Sequence, residues 1–213
     1  MTEYKMQNPF LVGKHLYLRP LEPDQDSHKL SEWYNNPDLR RYLNPHPLNS
    51  ARYKDFLDEL YKKFELIALG IALKSNNTLI GVVGLKNINH LHQTAELYTI
   101  RIDPQEQGKG YGTEATQLIL HYGFMELNLN RIQSLDVEEN ISAWKVDEKL
   151  GFQFEGIKRE ALFQDGRPYN MRMYSMLRRE YIEFFSTSPV YAVMRDILLY
   201  KTSASLRMAV SAG

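Results

Sequence analysis

The chain has 213 residues, enough for one large domain or for one domain with an appendage. Its 43% hydrophobic and 24% charged content suits a soluble globular core. Lys+Arg and Asp+Glu number 26 each, so charge points to neither nucleic acid nor an anionic membrane, and the lack of cysteine excludes disulfides, a thiolate nucleophile and Cys-ligated zinc. The opening MTEYKMQNPF lacks the apolar core of an export signal. The longest apolar runs, Leu66–Leu73 and Leu79–Leu85, are too short for a bilayer, so a cytoplasmic setting is expected.

Lys14–Leu21 alternates apolar and polar residues and predicts a first strand. Asp24–Asn36 has helical spacing through Leu30, Trp33 and Tyr34 and stops before Pro37. A connection marked by Pro37, Pro45 and Pro47 follows. Asn49 or Ser50 can cap a second helix with the stripe Tyr53, Phe56, Leu57, Leu60, Tyr61 and Phe64. Leu66–Leu73 and Leu79–Ile88 read as strands joined by a turn at Ser75–Thr78, and Ala95–Ile102 as a third. Tyr111–Leu127 reads as a long helix, Arg131–Val137 as a strand, and Ile141–Leu150 as a short helix stopped by Gly151. Phe152–Phe163 and Tyr169–Leu177 pair across Asp165-Gly166, a hairpin turn. The order predicts an α/β (α+β) fold: a mixed central sheet of about seven strands with helices on both faces, its Leu127–Arg131 link closing a right-handed crossover. After Pro189, residues Val190, Val193, Met194, Ile197 and Leu198 share one helical face. We divide the chain into a domain over residues 1–185 and a helical extension over 186–213, whose face packs either on its own domain or on a second subunit in a homodimer.

The sharpest signal is IRIDPQEQGKGYGTEA, from Ile100 to Ala115. A strand ends at Asp103-Pro104, glycines follow at Gly108, Gly110 and Gly112, and a helix opens at Tyr111–Thr113. The first N–H groups of a helix lack internal partners, and the helix dipole favours an anion there. Glycines let the backbone approach a phosphate closely. This predicts a phosphate-bearing ligand. The nucleotide P-loop spacing is absent. The dinucleotide fingerprint would need glycine where Thr113 stands, and Arg131 lies near the place of its acidic residue.

Gln107-Gly108-Lys109-Gly110-Tyr111-Gly112 fits Q/R-x-x-G-x-G/A and resembles the acetyl-CoA pyrophosphate loop of the GCN5-related N-acetyltransferases. Asn140 to Phe152 is similar to the family's N-x-x-A/S-x-x-x-x-x-K-L-G-F segment. Trp33 to Tyr42 and Ala95-Glu96-Leu97-Tyr98 resemble segments of its ribosomal-protein (RimJ/RimL-like) branch. The similarity covers roughly residues 14 to 180. It implies an acyl-CoA N-acyltransferase fold whose central strands splay to admit the pantetheine arm. It also implies acetyl transfer from acetyl-CoA, the co-substrate, to a primary amine in a ternary complex, with no metal. Ile100, Arg101, Ile102, Gln107, Gly108, Lys109, Gly110, Tyr111, Gly112, Thr113 and Asn140 would bind the co-substrate. The acceptor stays open between a protein N-terminus and small-molecule amines such as polyamines or amino sugars.

Such chemistry needs a neutral amine, because an alkyl ammonium titrates near about 10.4, and donors for the developing oxyanion. Glu96 is the candidate base; a strand-end ion pair is its competing role. Alternation would set Glu96, Tyr98, Ile100 and Ile102 on one face. For the acid that protonates the leaving thiolate, relatives place Tyr seven residues after the Asn, here Asp147, or Ser three after it, here Ala143. Ser142 is the nearest hydroxyl; Tyr98 and Tyr174 are other candidates. Asp147 would need strong desolvation to stay protonated, and a solvated helix edge is the expectation for it. Asn140 also suits an N-cap. Trp33 and Tyr42 are acceptor-groove candidates. His90 and His92 lack a third ligand, so no metal is expected. An acyl-CoA-binding or regulatory module without turnover is the alternative reading, and a dinucleotide enzyme is a third.

Overall fold

A computed structural model describes residues 5–40, 47–60, 62–192 and 194–197. In chain order the elements are β1 (Leu11–Val12), β2 (Leu16–Pro20), α1 (Pro23–Asn35), the one-turn α2 (Pro37–Arg40), α3 (Ser50–Leu60), β3 (Ile67–Leu73), β4 (Leu79–Asn89) and β5 (Thr94–Ile102). Then come α4 (Tyr111–His121), β6 (Arg131–Val137), α5 (Ile141–Leu150), β7 (Gln153–Gln164), β8 (Arg167–Leu177) and α6 (Arg178–Thr187). The eight strands form one sheet in the order β1-β2-β3-β4-β5-β6-β8-β7. Only β5 and β6 run parallel; the other neighbours are antiparallel. The eighth strand is β1, too short to show alternation.

The sheet is covered on both faces. On one, α1 and α3 bury Leu30, Trp33, Tyr53, Leu57 and Leu60 against Leu21, Ala68 and Val82. Pro23 begins α1, and Asp24 and Asp26 sit in its first turn, where the dipole favours negative charge. In α3 the buried stripe is Tyr53, Leu57 and Leu60. Phe56 and Phe64 are exposed, which narrows the expected stripe, and Tyr61 lies outside the described residues. The other face holds the larger core, with Leu118, Ile119, Leu120 and Phe124 packed on Leu85, Leu97 and Ile132.

The helix expected over Tyr111–Leu127 is α-helical to His121 and then widens into a π-helical turn, Tyr122–Glu126. Leu127 N–H accordingly donates five residues back to Tyr122 C=O at 3.0 Å. Asp165 (φ 52°) and Gly166 (φ 75°) both take left-handed backbone, as the two-residue hairpin requires.

The helix α6 was not foreseen. Its signals are Glu180, whose carboxylate accepts from Leu177 N–H at 2.9 Å, and the spacing Tyr181, Phe184, Phe185. The boundary drawn after residue 185 falls inside it. Beyond Pro189–Tyr191, a 3-10 turn, residues 192 and 194–197 are helical. Tyr191 and Met194 are buried in the larger core, and Gln117 Nε2 donates to Val190 C=O at 2.6 Å, so this segment packs on its own domain. Val193 and Leu198 of the expected stripe lie outside the described residues. Among the described residues no helix is long and apolar enough to cross a membrane.

Candidate active site

A fork in the sheet organises the site. The parallel strands β5 and β6 pair at Thr94↔Arg131, Ala95↔Ile132 and Glu96↔Gln133, and among the described residues the pairing stops there. β5 continues to Ile102 against β4, and β6 continues to Val137 against β8. The edges that face each other beyond Glu96 therefore carry backbone groups without strand partners. An extended amide chain can dock on such an edge as an added strand does.

A β-bulge decides what β5 presents on each face. Gly84 pairs Tyr98 and Val82 pairs Arg101, so one residue of β4 opposes two of β5, Thr99 and Ile100. The extra residue reverses the alternation. Ile102 joins Ala95 and Leu97 in the larger core, and Tyr98 packs on the α1–α3 side. Arg101 is held among Tyr53, Tyr98 and Tyr34. The expectation that Ile102 shares a face with Glu96 is thus corrected. The side chain of Ile100 is outside the description. Burial lowers the Arg101 guanidinium from its usual range.

At the end of β5 the glycine loop leads into α4. Gly108 (φ 75°) and Gly110 (φ 85°) are left-handed, and a Cβ at either would meet nothing within 4 Å. The glycines are required by backbone conformation and leave an open surface, not by packing. Gly110 occupies the N-cap of α4 without a side-chain cap. The first-turn N–H groups of Tyr111, Gly112 and Thr113 are thus left for an anion. Gln107 Nε2 donates to Ile102 C=O at 3.0 Å and ties the loop to the strand end. Lys109 pairs with Glu106 at 2.8 Å. Beside the loop is a cavity of about 230 Å³ lined in part by Lys14, His15, Gly110, Thr113, Lys149 and Met194. Glu114 also lines it and is engaged by His15 Nδ1 at 2.9 Å; Lys14, Lys149 and the uncapped helix end fit a phosphate-bearing co-substrate.

Glu96 stands at the apex of the fork, only 7% exposed. Lys86, its cross-strand partner, pairs with Oε1 at 2.6 Å. Asn87 Nδ2 and Gln133 Nε2 donate to Oε2 at 3.4 and 3.3 Å. Ser142 lies elsewhere: it is exposed on the first turn of α5, and its Oγ donates to Asn140 Oδ1 at 3.0 Å. Asn140 holds the N-cap position of α5, yet its side chain makes no capping bond. Trp33 is core, and Tyr42 is outside the described residues. Tyr174 OH donates to Glu148 at 2.8 Å and accepts from Arg172 Nε at 3.0 Å. His90 and His92 are exposed. Among the described residues no group of three or more His, Cys, Asp or Glu could hold a metal.

Asp147 overturns the expectation of a solvated edge: it is 1% exposed. It meets Asp136 and Ser134 of β6, and Ser134 Oγ donates to Asp136 Oδ2 at 3.1 Å. Burial first, then the charge of Asp136, pushes the Asp147 carboxyl up to about 9. Desolvation raises Asp136 as well. Sequence reading missed this cluster. A signal was present, because Asp147 continues Ala143 and leads to the buried Leu150 at i+4 and i+7 spacing.

Against known proteins, the family model for the acetyltransferase (GNAT) domain matches residues 15–153. The chain is 32% identical over 169 residues to the spermidine N(1)-acetyltransferase of Escherichia coli K12, covering 78% of this chain and 87% of that protein. It is 30% identical over 176 residues to a Bacillus subtilis protein provisionally named a ribosomal N-acetyltransferase, YdaF, covering 80% and 95%. The spermidine N-acetyltransferase of Vibrio cholerae, solved with CoA and spermine, superposes with a TM-score of 0.73 at 28% identity, covering 79% of this chain and 98% of that one. The domain match spans the diverging strands β5 and β6 and the glycine loop together, so this chain belongs to the GNAT acetyltransferases and transfers acetyl from acetyl-CoA to an amine.

Proposed function

We propose that the acceptor is the α-amine of a protein N-terminus, as in the RimJ/RimL-like branch. The observation that carries this reading is Arg101, turned by the bulge onto the α1–α3 side beside Tyr34, Tyr53 and Tyr98. A half-buried guanidinium on that face repels a polycation such as spermidine. An α-amine also suits the chemistry, because it titrates near about 8, against about 10.4 for a lysine-type amine, and so has a neutral fraction more than about a hundredfold larger at neutral pH.

In this mechanism the pantetheine arm lies along the free edge of β5, and the diphosphate rests on the first-turn N–H groups of α4 with Gly108, Gly110 and Thr113. The amine approaches from the α1–α3 side and attacks the thioester carbonyl. Glu96, anchored by Lys86 and Gln133, accepts the amine proton. Backbone N–H groups on the edge of β5 that faces the fork stabilise the oxyanion.

At about 100 times its Kd, acetyl-CoA should add about 2.7 kcal/mol to the stability of the protein, whereas NAD should add nothing. Release of CoA thiol should then be faster with an N-terminal peptide than with spermidine at equal concentration. Preference for spermidine would overturn the acceptor assignment. Stabilisation without thiol release from any amine would favour the non-catalytic module. Glu96→Gln should lower kcat about a hundredfold and leave acetyl-CoA affinity unchanged; unchanged turnover would leave Glu96 as a structural ion pair.

A further inference from the structure

The cavity beside the glycine loop extends well past the seat of the diphosphate. Its floor is one face of α4, because Gly110, Thr113, Glu114 and Gln117 follow at i, i+3, i+4 and i+7. At the helical rise per residue this floor runs about 10 Å from the helix N-terminus, the length of a nucleoside. Lys14 and His15, from the β1–β2 connection, and Lys149, from the last turn of α5, stand at its rim. Glu114 is turned toward that connection: it accepts from His15 N–H and meets His15 Nδ1, both at 2.9 Å. Neither Lys14 nor Lys149 has a carboxylate partner among the described residues.

The remaining wall is apolar and comes from the C-terminal segment, through Val190, Met194 and Ile197. This segment is firmly anchored. Tyr191 is buried and meets the rings of Tyr181 and Phe185 edge-on, with centroids 5.8 and 5.5 Å away. Arg195 Nη1 donates to Ser188 C=O at 2.9 Å and also to Phe185 C=O. Gln117 Nε2 ties Val190 C=O to α4. Gln117 is itself only 7% exposed, yet its Oε1 is neither hydrogen-bonded nor sealed off among the described residues, so it opens on the cavity.

We propose that the C-terminal segment is a working part of the co-substrate site: the cavity takes the adenosine 3′-phosphate end of acetyl-CoA, with the adenine against Val190, Met194 and Ile197 and the 3′-phosphate on Lys14 and Lys149. This rests on the diphosphate seat at the first turn of α4. Gly110 and Thr113 belong to both places, so the ligand leaves the seat in two directions. Pantetheine runs toward the β5 edge, and adenosine runs along α4 beneath the C-terminal segment. A flat base gains from an aliphatic wall, and a methionine sulfur makes favourable contacts with an aromatic ring. Gln117 Oε1 accepts from the adenine amino group, where guanine would present an acceptor instead. The two ammonium groups answer the charge of the phosphate ester.

The test measures binding to the full chain of CoA, of dephospho-CoA, which lacks the 3′-phosphate, and of pantetheine, which lacks the whole nucleotide. The parent should bind CoA about tenfold tighter than dephospho-CoA. In the double variant Lys14→Ala with Lys149→Ala that gap should close, while dephospho-CoA binds as it does to the parent. Ile197→Ser should weaken CoA and dephospho-CoA alike, by about three- to tenfold, and keep their ratio. Ile197→Met should restore the affinity, because it returns an apolar surface of similar size.

The ligand-free Tm of each variant reports folding separately. A purely structural role for Ile197 would lower that Tm and leave the affinity of the folded protein unchanged. Parent affinity in folded Ile197→Ser, or a gap that survives the loss of both lysines, would overturn the proposal. Either result leaves the diphosphate seat intact if dephospho-CoA still binds more tightly than pantetheine. Equal binding of those two would instead remove the seat, and the proposal with it.

Discussion

Arg19→Met should destabilise the protein by about 3–5 kcal/mol, because it strands a carboxylate in the core. Arg19 and Asp26 are each 4% exposed. The guanidinium grips the carboxylate with two bonds, 2.8 Å to Oδ2 and 2.9 Å to Oδ1. Its Nη1 also donates to Pro20 C=O at 2.9 Å. With Arg19 gone, Asp26 keeps the Glu22 N–H, at 2.7 Å, but no cation to balance its charge among the described residues. The two side chains clamp β2 to the first turns of α1, the helix that carries Trp33 into the smaller core. A loss of this size is a large share of the roughly 5–15 kcal/mol by which a domain is held. Urea unfolding would measure it. Adding Asp26→Leu to Arg19→Met should restore much of the loss, since it removes the orphan charge. A single-variant cost below about 1 kcal/mol would show that water reaches Asp26 and that the pair is not the clamp described.

Gly84→Ala should cost about 3 kcal/mol, at the upper end of what overpacking does. A Cβ at Gly84 would stand 1.9 Å from Ile67 O and 3.0 Å from Ala68 Cα, both backbone atoms of β3 that cannot rotate away. Gly84 also faces Tyr98 across the β5 bulge. Relief of the clash must push β4 away from β3 or into β5, whose free edge is proposed to take the co-substrate. The variant should therefore unfold at lower urea and bind acetyl-CoA more weakly. Gly108→Ala offers the contrast. Its Cβ meets nothing within 4 Å, so it should cost only the strain of its left-handed φ, about 1 kcal/mol. Equal stability losses in the two would mean that β4 has room to shift.

Much of this protein is written locally. The strands β3 to β6, the helix α5 and the Asp165-Gly166 hairpin follow from period and turn chemistry, which depend on neighbours a few residues apart. The glycine loop was legible for the same reason: its strand, its left-handed glycines and its helix N-terminus are consecutive. The family could be read from those residues. The tertiary structure decided what depends on distant partners. The bulge that puts Arg101 on the face of Tyr98 and Ile102 on the face of Leu97 arises from the register of β5 on β4. The fork exists because β6 leaves β5 after Gln133 while staying paired along its whole length to β8, a strand from much later in the chain. Asp147, polar by composition, is buried because α5 lies over β6 and sets it against Asp136. Propensity and periodicity report how a segment folds; only the packing of segments sets the dielectric around a carboxyl, and with it whether that carboxyl can hold a proton.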